Sequence, residues 1–119
     1  MLELTKSFQF DAAHFLNAYG KEHPYSRMHG HSFRVEITLS GEADAEKGWL
    51  RDLGDVARAL EALRGELDHN TLNEIKGLET PTLENLCRWI ADRLAADFPE
   101  LKAVTVSRPS IGESCRLTL

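Results

Sequence analysis

The chain is short of cysteine, of clustered positive charge and of long apolar runs. Only Cys87 and Cys115 occur among its 119 residues, too few for a secreted disulfide scaffold and too far apart for a zinc ribbon. That usage fits a reducing cytosol, and both thiols read by default as packed residues. No Lys/Arg run occurs, and 14 basic against 19 acidic residues leave a net charge of −5. Binding a phosphate backbone needs a cationic stripe, so nucleic acid is excluded as the main partner. No stretch approaches the length of a membrane span, and Met1 to Lys6 carries charge where a signal peptide needs its apolar core. The expectation is a cytoplasmic protein with no membrane partner. Neither repeats nor low-complexity segments are visible, which leaves one acidic domain over residues 1–119. A chain this long buries roughly two thirds of the surface it exposes when unfolded. It needs no metal merely to possess a core, so any metal would serve chemistry.

What the chain does have is alternation. Leu2, Leu4, Phe8, Phe10 and Ala12 share one parity with Lys6 and His14, while Glu3, Thr5, Ser7, Gln9 and Asp11 share the other, the pattern of a half-buried strand over residues 2–14. A polar segment from Asn17 to Met28 follows. The pattern then returns with His29, His31, Phe33, Val35, Ile37 and Leu39 opposed by Gly30, Ser32, Arg34, Glu36, Thr38 and Ser40.

Beyond the charged connection Gly41 to Gly48, Asp52 can cap a helix over 53–67, with Leu53, Val56, Leu60, Leu63 and Leu67 as its apolar stripe. Pro81-Thr82 starts a second helix, whose Leu83, Leu86, Cys87, Ile90 and Leu94 recur at helical spacing until Phe98-Pro99 ends it. Strands over 101–108 and 113–119 close the chain, joined by Pro109 to Gly112. The order β, β, α, α, β, β predicts an α+β fold with a four-stranded antiparallel sheet and two helices on one face. The edges of such a sheet must be covered or paired, so strand pairing between subunits is expected.

The chemistry-bearing residues are the histidines. His29-Gly30-His31 puts two imidazoles on one strand face, because side chains alternate with period two. His14 ends the apolar parity of the preceding strand. If the two strands pair as a long-looped hairpin, three imidazoles converge. Three neutral nitrogens suit tetrahedral zinc (Zn2+), and a vacant fourth position makes such a site catalytic in type. A second group, Asp68-His69-Asn70, follows the first helix. There Asp68 either orients a neighbouring or symmetry-related His69 and stabilises its cation, or His69 simply complements the helix dipole.

Five blocks in order carry a resemblance: Phe10-Asp11-Ala12-Ala13-His14, His29-Gly30-His31-Ser32-Phe33, Gly48-Trp49-Leu50-Arg51-Asp52-Leu53, Leu67-Asp68-His69-Asn70-Thr71-Leu72-Asn73 and Pro81-Thr82-Leu83-Glu84-Asn85-Leu86. Together they resemble the 6-pyruvoyltetrahydropterin synthase family, nearest its bacterial branch, the 6-carboxytetrahydropterin synthases of queuosine biosynthesis. The resemblance implies a T-fold (tunnelling fold) that trimerises into a barrel, two trimers stacking as a homohexamer. It assigns zinc to His14, His29 and His31 and makes the chain a lyase acting on 7,8-dihydroneopterin triphosphate. In the bacterial branch the products are 6-carboxytetrahydropterin, triphosphate and acetaldehyde. It implies too that Asp68 and His69 assist a catalytic base, and that a Glu near the C-terminus holds the pterin.

Two positions depart from the family pattern. Tyr25 stands four residues before His29, where the family has its cysteine base. An unperturbed phenol titrates near 10 and must lose about three units to be half ionised at neutral pH, so either Tyr25 or His23 takes that role, or Tyr25 only packs on the ligand. Arg108 stands where the pterin-holding Glu is expected, and a guanidinium only donates hydrogen bonds. Glu113, opening the last strand, can supply the acceptor from the facing position; without it the pocket would prefer an anion. Three readings follow: a carboxytetrahydropterin synthase with an altered base, a related zinc enzyme such as one performing retro-aldol cleavage of dihydroneopterin, or a zinc-stabilised hexamer that binds a ligand without turnover.

Overall fold

The computed structural model describes residues 1–119. Its strands are β1 (Leu2–His14), β2 (His29–Gly41), β3 (Leu101–Arg108) and β4 (Glu113–Thr118), and its helices are α1 (Leu53–Leu67) and α2 (Leu83–Leu94). The strands form one antiparallel sheet in the order β1-β2-β3-β4, with both helices inserted between β2 and β3. This is the α+β arrangement that the alternation and the helical stripes predict.

Parity decides which face is covered. Phe10, Ala12, Phe33, Val35, Ile37, Val104 and Val106 are buried on one side of the sheet, while Ser7, Gln9, Asp11, Ser32 and Arg34 are exposed on the other. α1 packs over β1, and α2 over β3 and β4. Val56, Leu60, Leu63 and Leu67 of α1 meet Leu83, Leu86, Cys87, Ile90 and Leu94 of α2 in the same core cluster. Both caps form as the residue types require: Asp52 accepts from the Gly54 N–H at 2.8 Å, and Thr82 accepts from the Asn85 N–H at 3.1 Å. Leu86 is fully buried where α2 meets the sheet. Leu86→Ala is expected to cost about 3 kcal/mol, read as a lower denaturant midpoint at unchanged slope.

α1 spans Leu53–Leu67 as expected, but the burial of Leu53 and the end of α2 differ from the sequence expectation. Leu53 is 45% exposed, lining an apolar groove with Leu2, Leu4 and Trp49 instead of entering the core. α2 stops at Leu94, four residues short of Phe98. The chain then turns, and Phe98 re-enters the core with its N–H on the Leu94 carbonyl at 2.9 Å. Cys87 is buried as expected, its thiol donating to the Cys115 carbonyl at 3.3 Å. Burial, then the nearby Cys115, push the Cys87 thiol up to about 11, so it stays protonated and inert. No helix is long and apolar enough to cross a membrane.

One further pairing places the site. The segment after α1 runs along the outer edge of β1, with His69 N–H on the Asp11 carbonyl at 2.7 Å, Ala13 N–H on the Asn70 carbonyl at 3.1 Å and a parallel bridge between Ala13 and Thr71. It shields that edge only near residues 11–13. The outer edge of β4 has no strand partner within the chain.

Candidate metal centre and ligand pocket

β1 and β2 pair in a register that sets His14 opposite His29 and Ala12 opposite His31. All three imidazoles therefore leave the sheet on the covered face at its open end. Ring centroids lie 4.6 Å (His14 to His29), 5.0 Å (His14 to His31) and 4.9 Å (His29 to His31) apart, and one nitrogen from each ring lies within 4.8 Å of the others. The hairpin geometry inferred from parity is what brings them together.

Backbone carbonyls fix the tautomers of two rings. His14 Nδ1 lies 3.1 Å from the Pro81 carbonyl and His29 Nδ1 lies 2.7 Å from the Arg27 carbonyl. A carbonyl only accepts, so each Nδ1 carries the proton and each Nε2 keeps its lone pair. His14 is fully buried, and its Nε2 has no hydrogen-bond partner. Burial lowers the His14 pKa to about 4, helped by His29, His31 and Arg108 and opposed by the Pro81 carbonyl. His31 is lowered too, by burial, then by Arg108 and His29, against the pull of Glu113. Neutral imidazoles with an orphaned lone pair among them are the donor set of a three-histidine zinc site. The residues fit the ion.

The segment between β1 and β2 folds over this cluster as two short 3₁₀ turns, Asn17–Tyr19 and Pro24–Ser26. Leu16 clamps it, its N–H on the Tyr25 carbonyl at 2.7 Å and its carbonyl accepting from the Ser26 hydroxyl at 3.0 Å. Tyr19, His23 and Tyr25 form an aromatic group, with Tyr19 stacked on His23 at 4.4 Å and Tyr25 6.2 Å from His29. Tyr25 N–H donates to His23 Nδ1 at 3.1 Å. Neutral His23 therefore carries its proton on Nε2 and presents a donor. Tyr25, by contrast, lines a pocket of about 110 Å³ with Leu16, Tyr19, His29, His31, Arg108, Ile111 and Glu113. The sequence left Tyr25 and His23 as alternatives; in this arrangement only Tyr25 faces the pocket.

Arg108 and Glu113 sit opposite each other across the β3–β4 hairpin as an ion pair, Nε to Oε1 at 3.0 Å. Glu113, which the sequence offers as a pterin acceptor from the facing position, thus has its carboxylate against Arg108.

Asp68 and His69 form a couple of their own. His69 has φ +59°, a left-handed conformation that swings its ring back onto the residue before it, with Nδ1 2.9 Å from Asp68 Oδ2. The other Asp68 oxygen accepts from the Asp11 N–H at 2.9 Å. That bond and the one from His69, with Arg64 nearby, hold the Asp68 carboxyl below the usual carboxylate range. His69 itself is exposed and lines a separate open groove of about 750 Å³ with Asp11, Ser32, Asn70 and Thr71. The two cavities share His31 and Ile111. Within one chain, Tyr25 and His69 line different cavities.

Sequence reasoning missed Tyr19, Leu16 and Ile111 as pocket walls and the Pro81 carbonyl as the partner of His14. Tyr19 had a signal, an aromatic residue in a polar segment facing a histidine pair. The Pro81 carbonyl had none, since backbone carries no residue signature.

Comparison with known proteins agrees with this geometry. The family described as 6-pyruvoyl tetrahydropterin synthase matches residues 3–118. A dihydroneopterin monophosphate aldolase of Pyrococcus furiosus is 34% identical over 90 residues, covering 76% of this chain and 72% of that protein. A 6-carboxy-5,6,7,8-tetrahydropterin synthase of Synechocystis is 36% identical over 109 residues, covering 87% of this chain and 83% of the relative. The structure of Caenorhabditis elegans 6-pyruvoyl tetrahydropterin synthase superposes with a TM-score of 0.86 at 21% identity, over 99% of this chain and 95% of that one. The four-stranded sheet with its two helices is accordingly the T-fold.

Proposed function

The chain belongs to the 6-pyruvoyl tetrahydropterin synthase family, and from that premise we propose that it is a zinc-dependent lyase of the 6-carboxytetrahydropterin synthase type. It would convert 7,8-dihydroneopterin triphosphate to 6-carboxytetrahydropterin with release of triphosphate and acetaldehyde. The observation that carries the reading is the buried, unpartnered Nε2 of His14 set among two further imidazoles beside a pocket. His14, His29 and His31 would hold the ion, which when bound supplies a Lewis acid for the side-chain oxygens and acidifies the adjacent carbon-bound proton. The Pro81 and Arg27 carbonyls keep two of the ligand nitrogens free of protons. Leu16, Tyr19 and Ile111 line the same pocket as Tyr25 and would cover the ligand, and the Tyr25 hydroxyl would move the proton. Asp68 holds His69 in one tautomer, its Nδ1–H on the carboxylate, and leaves Nε2 as the working nitrogen.

Tyr25 and His69 line different, adjoining cavities in one chain, and a second copy joined at the unpaired outer edge of β4 would let them act on one ligand. Residues 1–119 would then act as one domain of a homohexamer, a dimer of trimers.

Tyr25 also favours a second reading, retro-aldol cleavage of a dihydroneopterin. Elimination asks the base for a carbon-bound proton, whereas retro-aldol cleavage asks only for a hydroxyl proton. A phenol, with its unperturbed pKa near 10, suits the second demand better than the first. One relative bears the name of such an aldolase. Incubating the metal-loaded protein with 7,8-dihydroneopterin and with its mono- and triphosphates, then identifying products, separates the readings. Triphosphate with acetaldehyde is expected on the first. Glycolaldehyde or its phosphate selects the second, and unchanged substrates overturn both.

A further inference from the structure

His23 does not line the pocket that Tyr25 lines, yet its side chain is committed to that residue. Pro24 takes the first position of the turn Pro24–Ser26 and has no N–H, so the first backbone donor of the turn is the Tyr25 N–H. His23 Nδ1 meets it at 3.1 Å, and no backbone carbonyl does. On its other side Tyr25 accepts from the Leu16 N–H at 2.7 Å. These two ties, with the packing of the ring against Tyr19 and His23, fix the place of Tyr25 in the pocket wall.

Only one of the ties can titrate. A neutral imidazole accepts on Nδ1, whereas the imidazolium carries N–H on both ring nitrogens and would turn a donor toward the Tyr25 donor. The ring is faced by Tyr19 at 4.4 Å and by Tyr25 at 4.7 Å. Its charged neighbours are Lys21 and Glu22, both exposed, and the one imidazole–carboxylate pair in the chain belongs to His69. Stacking on Tyr19 accommodates a cation, so protonation gives up the Tyr25 contact and keeps the aromatic one. We propose that His23 is a positioning residue for Tyr25 and makes turnover pH-dependent: neutral, it holds the turn that sets Tyr25 in the pocket wall, and protonated it releases that turn. The effect on turnover rests on the reading of Tyr25 as the proton-moving group, while the contact itself can be tested apart from catalysis.

The chain has two tyrosines, so zinc-loaded protein labelled with heavy nitrogen in tyrosine alone gives two amide NMR signals, assigned with Tyr19→Phe. Between about pH 7.5 and about pH 5.5, where an imidazole changes charge, the Tyr25 signal is expected to move in the unaltered protein. It should stay still in His23→Asn, whose side-chain carbonyl accepts at either pH. In parallel, kcat is measured with 7,8-dihydroneopterin triphosphate or 7,8-dihydroneopterin, whichever is turned over. The ratio of His23→Asn to unaltered protein cancels the titration of His69 and of the zinc ligands, which both share, and should rise about 10-fold toward low pH. His23→Leu, which cannot accept, should lose about 10-fold in kcat at neutral pH with zinc content and circular dichroism unchanged. A Tyr25 signal that is stationary in the unaltered protein, or that moves equally in His23→Asn, overturns the inference. So does full kcat in His23→Leu where Tyr25→Phe has lost it. Full kcat in Tyr25→Phe overturns instead the reading of Tyr25, and the effect of His23 on turnover with it.

Discussion

His29→Ala is expected to strip the protein of its metal and lower kcat at least about 1,000-fold, because Lewis-acid stabilisation of developing charge is worth several kcal/mol. His29 is the ligand best suited to the test. It is only partly buried, at the start of β2, and its Nδ1 contact is to the Arg27 carbonyl two residues away rather than to the core. Removing it takes away one of three donor nitrogens and leaves the hairpin pairing intact. His14→Ala would mix two effects, since His14 is fully buried and its removal opens a cavity beside Phe33. Metal content by mass spectrometry should fall from about one zinc per chain to a small fraction, with circular dichroism unchanged. Full metal occupancy in the variant would show that the three imidazoles do not form the site.

Tyr25→Phe is expected to reduce kcat about 100- to 1,000-fold, the usual worth of a positioned proton-transfer group, while leaving zinc content and KM nearly unchanged. The substitution keeps the ring, which packs against Tyr19 and His23 and lies 6.2 Å from His29, and deletes only the hydroxyl. A tyrosine that merely stacks on the ligand would give a variant with kcat within about twofold of the unaltered enzyme. His23→Asn serves as the companion. Its side-chain carbonyl can still accept the Tyr25 N–H, as a helix-capping Asn does, so turnover should survive. If His23→Asn lost activity and Tyr25→Phe kept it, the roles given to the two residues would be reversed.

Both effects depend on geometry that the sequence carries unevenly. The hairpin of β1 and β2 was legible because thirteen-residue strands with one apolar parity leave a single register that brings Phe10, Phe33 and the histidines to one face. The helices were legible from their caps and stripes. Their apolar ends were less so, since Leu53 continues the stripe of α1 but stays exposed, and Phe98 continues a periodicity that the backbone leaves at Leu94. The loop over the cluster was opaque: nothing in Asn17 to Met28 announces that a backbone N–H at Tyr25 would claim His23 Nδ1 and so separate two candidate bases. Asp68-His69 could be read as a couple, but its separation from Tyr25 could not, because that follows from the segment lying along the edge of β1. The facing of Glu113 and Arg108 was legible from hairpin parity. Their contact is misaligned and leaves the Arg108 Nε–H free, a matter of side-chain torsions with no sequence signature.

X-ray absorption at the zinc edge of the purified protein bears most directly on the central claim, that three converging imidazoles hold a metal with a position left for a ligand. The expected spectrum has three imidazole nitrogens at about 2.0 Å and one light exchangeable ligand, and it changes when a pterin is added. A spectrum with sulfur ligation, or with four protein ligands and no response to pterin, would contradict it.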